Sequence, residues 1–289
     1  MRKIKLALFA LAFSFGSALA QNSILWEVSG NGLANSSYLL GSLKFIGEKE
    51  YVLHKEIPEK LKSAKIFAIE DEVDHHAQHE LNKALHFPKG ESLATALSQE
   101  QYKKVVSLFS SEFNVTSKTF KKKFASLKPL ALSIAMTRLS LHEGVKFYDI
   151  ELLKMAKDYN LDTYSLEGIE REAQAFDAFP VEEQIKALMH SVENFDKQKS
   201  EYKKLEAAYA RGDIDKVFEY SLHPFENNAT FIKEFYFKRN QEWLPKLERM
   251  FADRQSFVAV GVTHLEGEQG LLALLKEKGY TLTPIPVTD

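Results

Sequence analysis

The stretch Phe257-Val-Ala-Val-Gly261-Val-Thr-His264-Leu-Glu-Gly267-Glu-Gln-Gly270-Leu-Leu-Ala-Leu-Leu275 decides how this chain is read. An apolar run ends at a glycine turn, a histidine follows, and a second glycine turn leads into an amphipathic helix. The run is short enough and rich enough in valine to be a buried strand. That reading sets the imidazole of His264 at the C-terminal mouth of the strand, where open α/β sheets hold their ligands. A second turn of this kind lies near the other end of the chain, Tyr38-Leu-Leu-Gly41-Ser-Leu-Lys44, with lysine where the first has histidine.

Working outward, the periodicity predicts further strands over Leu25–Val28, Ser37–Leu40, Lys65–Ile69, Asp162–Leu166 and Tyr280–Ile285. Helices are predicted over Pro58–Ala64, from a Ser98–Gln101 capping box through Phe109, and over Leu127–Leu141, Asp149–Tyr159, Val181–Phe195 and Lys197–Ala210. One long helix is expected over Phe231–Phe251, bent near Pro245, and a last one over Gln269–Lys278. The expected fold is α/β, with a central mixed sheet formed by the N- and C-terminal segments. A large, mainly helical insertion occupies about residues 90–250 of a single domain, 21–289.

The first residues, Met1-Arg-Lys-Ile-Lys5, an apolar run from Leu6 to Phe15 and Ala18-Leu-Ala20 have the layout of a secretory signal peptide, 1–20. The apolar run is shorter than the roughly 20 residues that a spanning helix needs, and no other segment is apolar enough to cross a bilayer. The expectation is export to the periplasm or the medium. Loss of Arg2, Lys3 and Lys5 with the leader moves the formal charge from −2 to −5. An acidic chain lacks the basic face that nucleic acid requires. With no cysteine there is no disulfide, and any metal site must use histidine and carboxylates.

Several strands stop at polar residues: Leu40 before Gly41–Lys44, Ile69 before Glu70-Asp71-Glu72, Leu166 before Glu167, and Val260 before Gly261–His264. If the strands are parallel, these groups meet on one rim. Glycine in the turns gives close backbone approach and access to positive φ. A histidine facing carboxylates is a plausible nitrogen and oxygen site for zinc, manganese or cobalt, and such an ion would activate a bound water.

These blocks resemble the TraB/GumN family, which also contains the Tiki proteases. Tyr38-Leu-Leu-Gly41-Ser-Leu-Lys-Phe-Ile-Gly47 is similar to the family's opening LLGTxHxG block. Trp26, Ile69-Glu70, Gly144-x4-Asp149, Ser165-Leu-Glu167, Arg239-Asn-x2-Trp243 and Val260-Gly-Val-Thr-His264-Leu-x-Gly267 follow in the family's order. The resemblance implies an α/β fold of the kind shared with erythromycin esterase and haem-binding ChaN-like proteins. It also implies a divalent-metal-dependent hydrolase or peptidase acting on an amide or peptide bond. Carried over residue by residue, it assigns Glu70, His264 and Glu167 to the metal, with Glu70 also as general base, and Arg239 as an orienting group.

Lys44 departs from the family's first histidine. An ammonium has three donors and no lone pair for a metal. Three readings stand: Lys44 replaces a lost metal as a built-in cation paired to Glu70, it assists a retained metal as an electrophile, or it points to solvent. A Ser42–Lys44 dyad is a weaker reading. His75-His76-x2-His79 reads as a solvated helix or lid, Lys118 with Lys121-Lys-Lys123 as a solvated face, and Phe231, Phe235 and Phe237 as core. Two functions follow: a metal-dependent hydrolase with an altered site, or a non-catalytic protein of the cell envelope that binds a peptide or small molecule without metal.

Overall fold

The computed structural model describes residues 23–71, 75–141, 144–221 and 228–287. The expected leader, 1–20, and Glu72 lie outside them. The strands are β1 (Leu25–Gly30), β2 (Ser37–Ser42), β3 (Ile46–Gly47), β4 (Ile66–Ile69), β5 (Val145–Lys146), β6 (Asp162–Ser165), β7 (Ser256–Gly261) and β8 (Tyr280–Ile285). Six of them form one mixed sheet in the order β6-β4-β7-β2-β1-β8, and β3 pairs with β5. Strands β6, β4, β7 and β2 run parallel, and β1 is antiparallel to both β2 and β8.

The sequence dictates where each strand sits. Ile-Phe-Ala-Ile of β4 is buried throughout, and so is β7 up to its last residue. Continuous apolar runs of this kind belong to central parallel strands covered on both faces. The outer strands are the polar ones. Asp-Thr-Tyr-Ser of β6 is mostly exposed, which blunts one edge of the sheet. Pro284 lies in β8, on the other edge, where a missing N–H costs no ladder bond.

The expectation of a sheet built from the two chain ends is met by five of the six strands. The sixth, β6, comes from the middle of the chain and adds to β4 through Ile66–Asp162 register. Helices fill most of the insertion, which carries its own apolar cluster around Phe109, Phe120, Leu132 and Leu188. The Ser98–Gln101 capping box forms reciprocally, with Gln101 N–H on Ser98 Oγ at 3.2 Å and Ser98 N–H on Gln101 Oε1 at 2.9 Å.

The long helix differs from the expectation. It is α-helical over Ala229–Ile232, π-helical over Lys233–Phe237 and α-helical again over Lys238–Asp253, continuing through Pro245. The irregularity falls eight residues ahead of the proline, at a wide turn of the kind often found beside functional groups.

The loop that follows β2 is fastened from two helices. Tyr209 donates its hydroxyl to Gly41 O at 3.0 Å, Tyr202 to Phe45 O at 2.7 Å, and Tyr148 to Val52 O at 2.8 Å. Buried Glu206 accepts the Gly47 N–H at 2.9 Å. Lys44 therefore projects from a segment with little freedom to move.

Candidate functional site

The C-terminal ends of β2, β4, β6 and β7 share one rim because those four strands are parallel. Lys44 leaves the end of β2, Glu70 and Asp71 follow β4, Glu167 follows β6, and His264 closes the short 3-10 turn Val262–His264 after β7. The helix Lys238–Asp253 crosses this rim. Arg239, Asn240 and Trp243 are all buried, and their spacing puts them on adjoining faces of one helix end.

Arg239 is the hub. It is 2% exposed. Its Nη2 donates to Glu70 Oε2 at 2.9 Å and its Nε to Glu167 Oε1 at 2.9 Å. Nη1 donates to the carbonyl of Phe235, within the π-turn, at 3.1 Å, and lies 3.4 Å from His264 Nε2. The guanidinium also lies over the Trp243 ring, 4.8 Å from its centroid. The other oxygen of each acid is taken as well. Trp243 Nε1–H donates to Glu167 Oε2 at 2.8 Å, and the Gly261 N–H donates to Glu70 Oε1. Gly261 has an ordinary φ of −53°, so the freedom at positive φ expected from the sequence is not used. Close approach is used, since a Cβ there would sit 3.1 Å from Glu70 Oε1.

His264 is fixed by Asn240. The Asn240 amide donates to His264 O at 3.1 Å and to Gln269 O at 2.9 Å, so its Oδ1 is the acceptor for His264 Nδ1–H at 2.7 Å. That bond leaves the lone pair on Nε2. Burial pushes the imidazole pKa down to about 3, with Arg239 and Lys44 adding to the effect against Glu70. His264 is neutral at any ordinary pH.

Lys44 does not pair with Glu70. Its Nζ donates to Asp71 Oδ2 at 3.1 Å and lies 3.6 Å from Glu172 Oε1, while its side chain is 53% exposed. Desolvation opposes the charge, but Glu172, Asp71, Glu70 and Asp149 outweigh it and hold the ammonium well above its ordinary pKa. The solvent-pointing reading is thus half met by exposure, while the ammonium itself is engaged. Ser42 is no partner for it: the single Ser42 hydroxyl proton is shared between Asp149 Oδ1 at 3.2 Å and Val260 O at 3.3 Å, which sets aside the dyad.

Five carboxyl groups (Glu70, Asp71, Asp149, Glu167, Glu172) thus surround two fixed cations among the described residues. Burial opposes ionisation of Glu70, but Arg239, Lys44 and the Gly261 amide hold its carboxyl well below the usual range. Burial moves Asp149 up to about 6 and Glu172 up to about 7, in each case against the pull of Lys44.

Asp149, Glu172 and Asn240 were given no role by the sequence reading, and Asp71 only a place on the rim. Glu172 had a signal: Ile169, Glu172, Ala175 and Phe176 form the buried stripe of one helix, with an acid among apolar residues. His76 pairs with Glu170 at 3.5 Å on the exposed face of the helix His75–Ala84, and Lys118 and Lys121–Lys123 are exposed.

The sequence model of the TraB/PrgY/gumN family matches residues 24–284, nearly the whole chain. The chain belongs to this family. No curated protein and no solved structure matches it. The TraB/PrgY/gumN match takes in the whole sheet except Ile285, and every residue of the rim. A divalent metal of the kind implied by the TraB resemblance would need lone pairs from His264, Glu70 and Glu167. Arg239 faces or binds all three, and Gly261 and Trp243 hold the remaining oxygens, so this donor set as arranged does not fit a metal ion. Among the described residues, no group of three or more histidine or acidic side chains is arranged to hold one. No helix among them is long and apolar enough to cross a membrane.

Proposed function

We propose that this chain is an exported ligand-binding member of the TraB/PrgY/gumN family, whose rim works through a charge cluster supplied by the protein in place of a divalent metal. The observation that carries this reading is the position of Arg239. Its guanidinium occupies the space between Glu70, Glu167 and Nε2 of His264. Replacing a buried, fully hydrogen-bonded guanidinium by a metal ion would require it to leave two carboxylates and a π-turn carbonyl at once. Lys44 adds a second fixed cation at the mouth, above Asp71 and Glu172. The occupant is a peptide or small molecule that meets the protein at the half-exposed Lys44.

A metal-dependent amide or peptide hydrolase is the second reading, and one observation favours it. Asn240 holds His264 as the neutral Nδ1–H tautomer, the form in which Nε2 is able to ligate a metal. Metal analysis of the purified mature chain and of a Lys44→His variant, after exposure to manganese, cobalt and zinc, separates the two. The binding reading expects no stoichiometric metal in the native protein, with any uptake confined to the variant. Stoichiometric metal in the native chain would support the hydrolase reading instead. Export is supported by the leader alone. Sequencing of the N-terminus is expected to find Gln21 first in the exported fraction, and a protein retaining Met1 inside the cell overturns it.

A further inference from the structure

We infer that Asp71 and Glu172 form a subsite for a primary ammonium group, and that Lys44 fills it in the free protein. The inference rests on the metal-free binding reading and names the chemistry of the ligand.

Asp71 and Glu172 are each more than nine-tenths buried, at 7% and 6% exposure. Both aim one oxygen at the same nitrogen, Lys44 Nζ. Their other oxygens, Asp71 Oδ1 and Glu172 Oε2, are buried without a hydrogen-bond partner among the described residues. Such atoms are costly unless a donor reaches them. Lys44 is a poor fit to the need. Its ammonium makes one hydrogen bond, to Asp71, and only an ion pair at 3.6 Å to Glu172. It reaches the acids from a loop fastened at Gly41, Phe45 and Gly47, which ties its ammonium to one side of the pair. A free ammonium with three donors is not so constrained and is able to serve the orphan oxygens as well.

What the orphan oxygens lack is a donor. Arg239 Nη2 stands 3.8 Å from Asp71 Oδ1, too far to donate to it. A quaternary ammonium has no N–H for the orphan oxygens. The chemistry fits either the α-amino end of a peptide or an alkylamine.

The test uses the mature chain carrying Lys44→Met, which keeps the aliphatic stem and removes the charge. Calorimetric titration with n-butylammonium and with the dipeptide Ala-Ala is expected to give binding about 10- to 100-fold tighter than to the native chain, the range for hydrogen bonds to charged groups. N-acetylated Ala-Ala and tetramethylammonium are expected not to bind, and Lys44→Met combined with Glu172→Gln is expected to lose the gain. Stronger binding of the dipeptide assigns the subsite to peptide N-termini, and stronger binding of n-butylammonium assigns it to alkylamines. No ammonium binding to the folded variant, or binding untouched by Glu172→Gln, overturns the inference. If Lys44→Met does not melt cooperatively, Lys44→Gln takes its place with the same expectations. Stoichiometric manganese on the native chain would instead sink the metal-free reading. Failure of the variant to bind ammonium, with the native chain free of metal, removes only the subsite.

Discussion

Arg239 holds two carboxylates that water barely reaches, so its removal leaves both charges without a counterion. Arg239→Gln is expected to cost about 3–5 kcal/mol in urea unfolding, the range for breaking a buried pair from one side. Arg239→Lys is expected to lose most of the same stability, because one ammonium cannot span Glu70 and Glu167 as the planar fork does. Glu172 leads to a prediction in pH. Its folded pKa, about 7, lies above the ordinary carboxyl value of 4.5, so it favours folding while protonated and loses that advantage as pH rises from 4.5 through 7. Asp149 acts in the same sense between 3.8 and about 6. Glu70 is opposite: its depressed pKa gives stability that is full above 4.5 and declines as pH falls below it. Glu172→Gln is therefore expected to be more stable than the native chain by about 2–3 kcal/mol at pH 8 and equal to it near pH 4, read from urea midpoints at the two pH values. At this scale the sequence disclosed the residues better than their partners. His264, Glu70, Glu167, Arg239 and Lys44 stand in short recognisable blocks. That Lys44 would choose Asp71 and Glu172 over Glu70 depends on where the helix Ile169–Asp177 docks, and a local pattern carries no such information.

Among the elements, the helix crossing the rim has the most to explain. The π-turn Lys233–Phe237 directs the Phe235 carbonyl to Arg239 and sets the Tyr236 ring edge-on to His264, with centroids 5.1 Å apart. Five residues of apolar and charged character with helical spacing do not distinguish a π-turn from an α-turn, so the sequence showed only a long helix. It did show Pro245, and the expected consequence was a bend. Pro245 is exposed, and its missing N–H leaves the Gln241 carbonyl without a helical donor. Pro245→Ala is expected to raise stability by about 1–2 kcal/mol, the helix gain less the entropy returned to the unfolded chain, checked by thermal melting. Gly261→Ala is expected to lower it by about 1–3 kcal/mol, since the added methyl presses on Glu70 Oε1 at the end of a packed strand. Strands β4 and β7 were legible because their composition demands burial on both faces. Strands β3 and β5, two residues each, carry no period that could be read.

Across the whole molecule, the sheet is closed by pairing the first strands with the last ones. Strand β2 joins β7, and β1 joins β8, over more than two hundred residues of intervening chain. A chain ending at Gly279 lacks β8 and exposes the backbone edge of β1. It is expected to lose cooperative unfolding in circular dichroism, because Leu25 and Val28 pack in the core only while both neighbours of β1 are present. The α/β class and the use of both chain ends were visible from the two matching glycine turns. The entry of β6 at the sheet edge was legible as a strand, but its place beside β4 was not, since Asp-Thr-Tyr-Ser has the composition of a turn as much as of an edge. The late arrival of β7 has a temporal meaning. During synthesis, the acids after β4 and β6 emerge long before Arg239, and the imidazole that completes the rim comes later still. A nascent chain therefore carries unmatched acids until the helix Lys238–Asp253 has been made, and no ligand can be captured at the rim before His264 follows it.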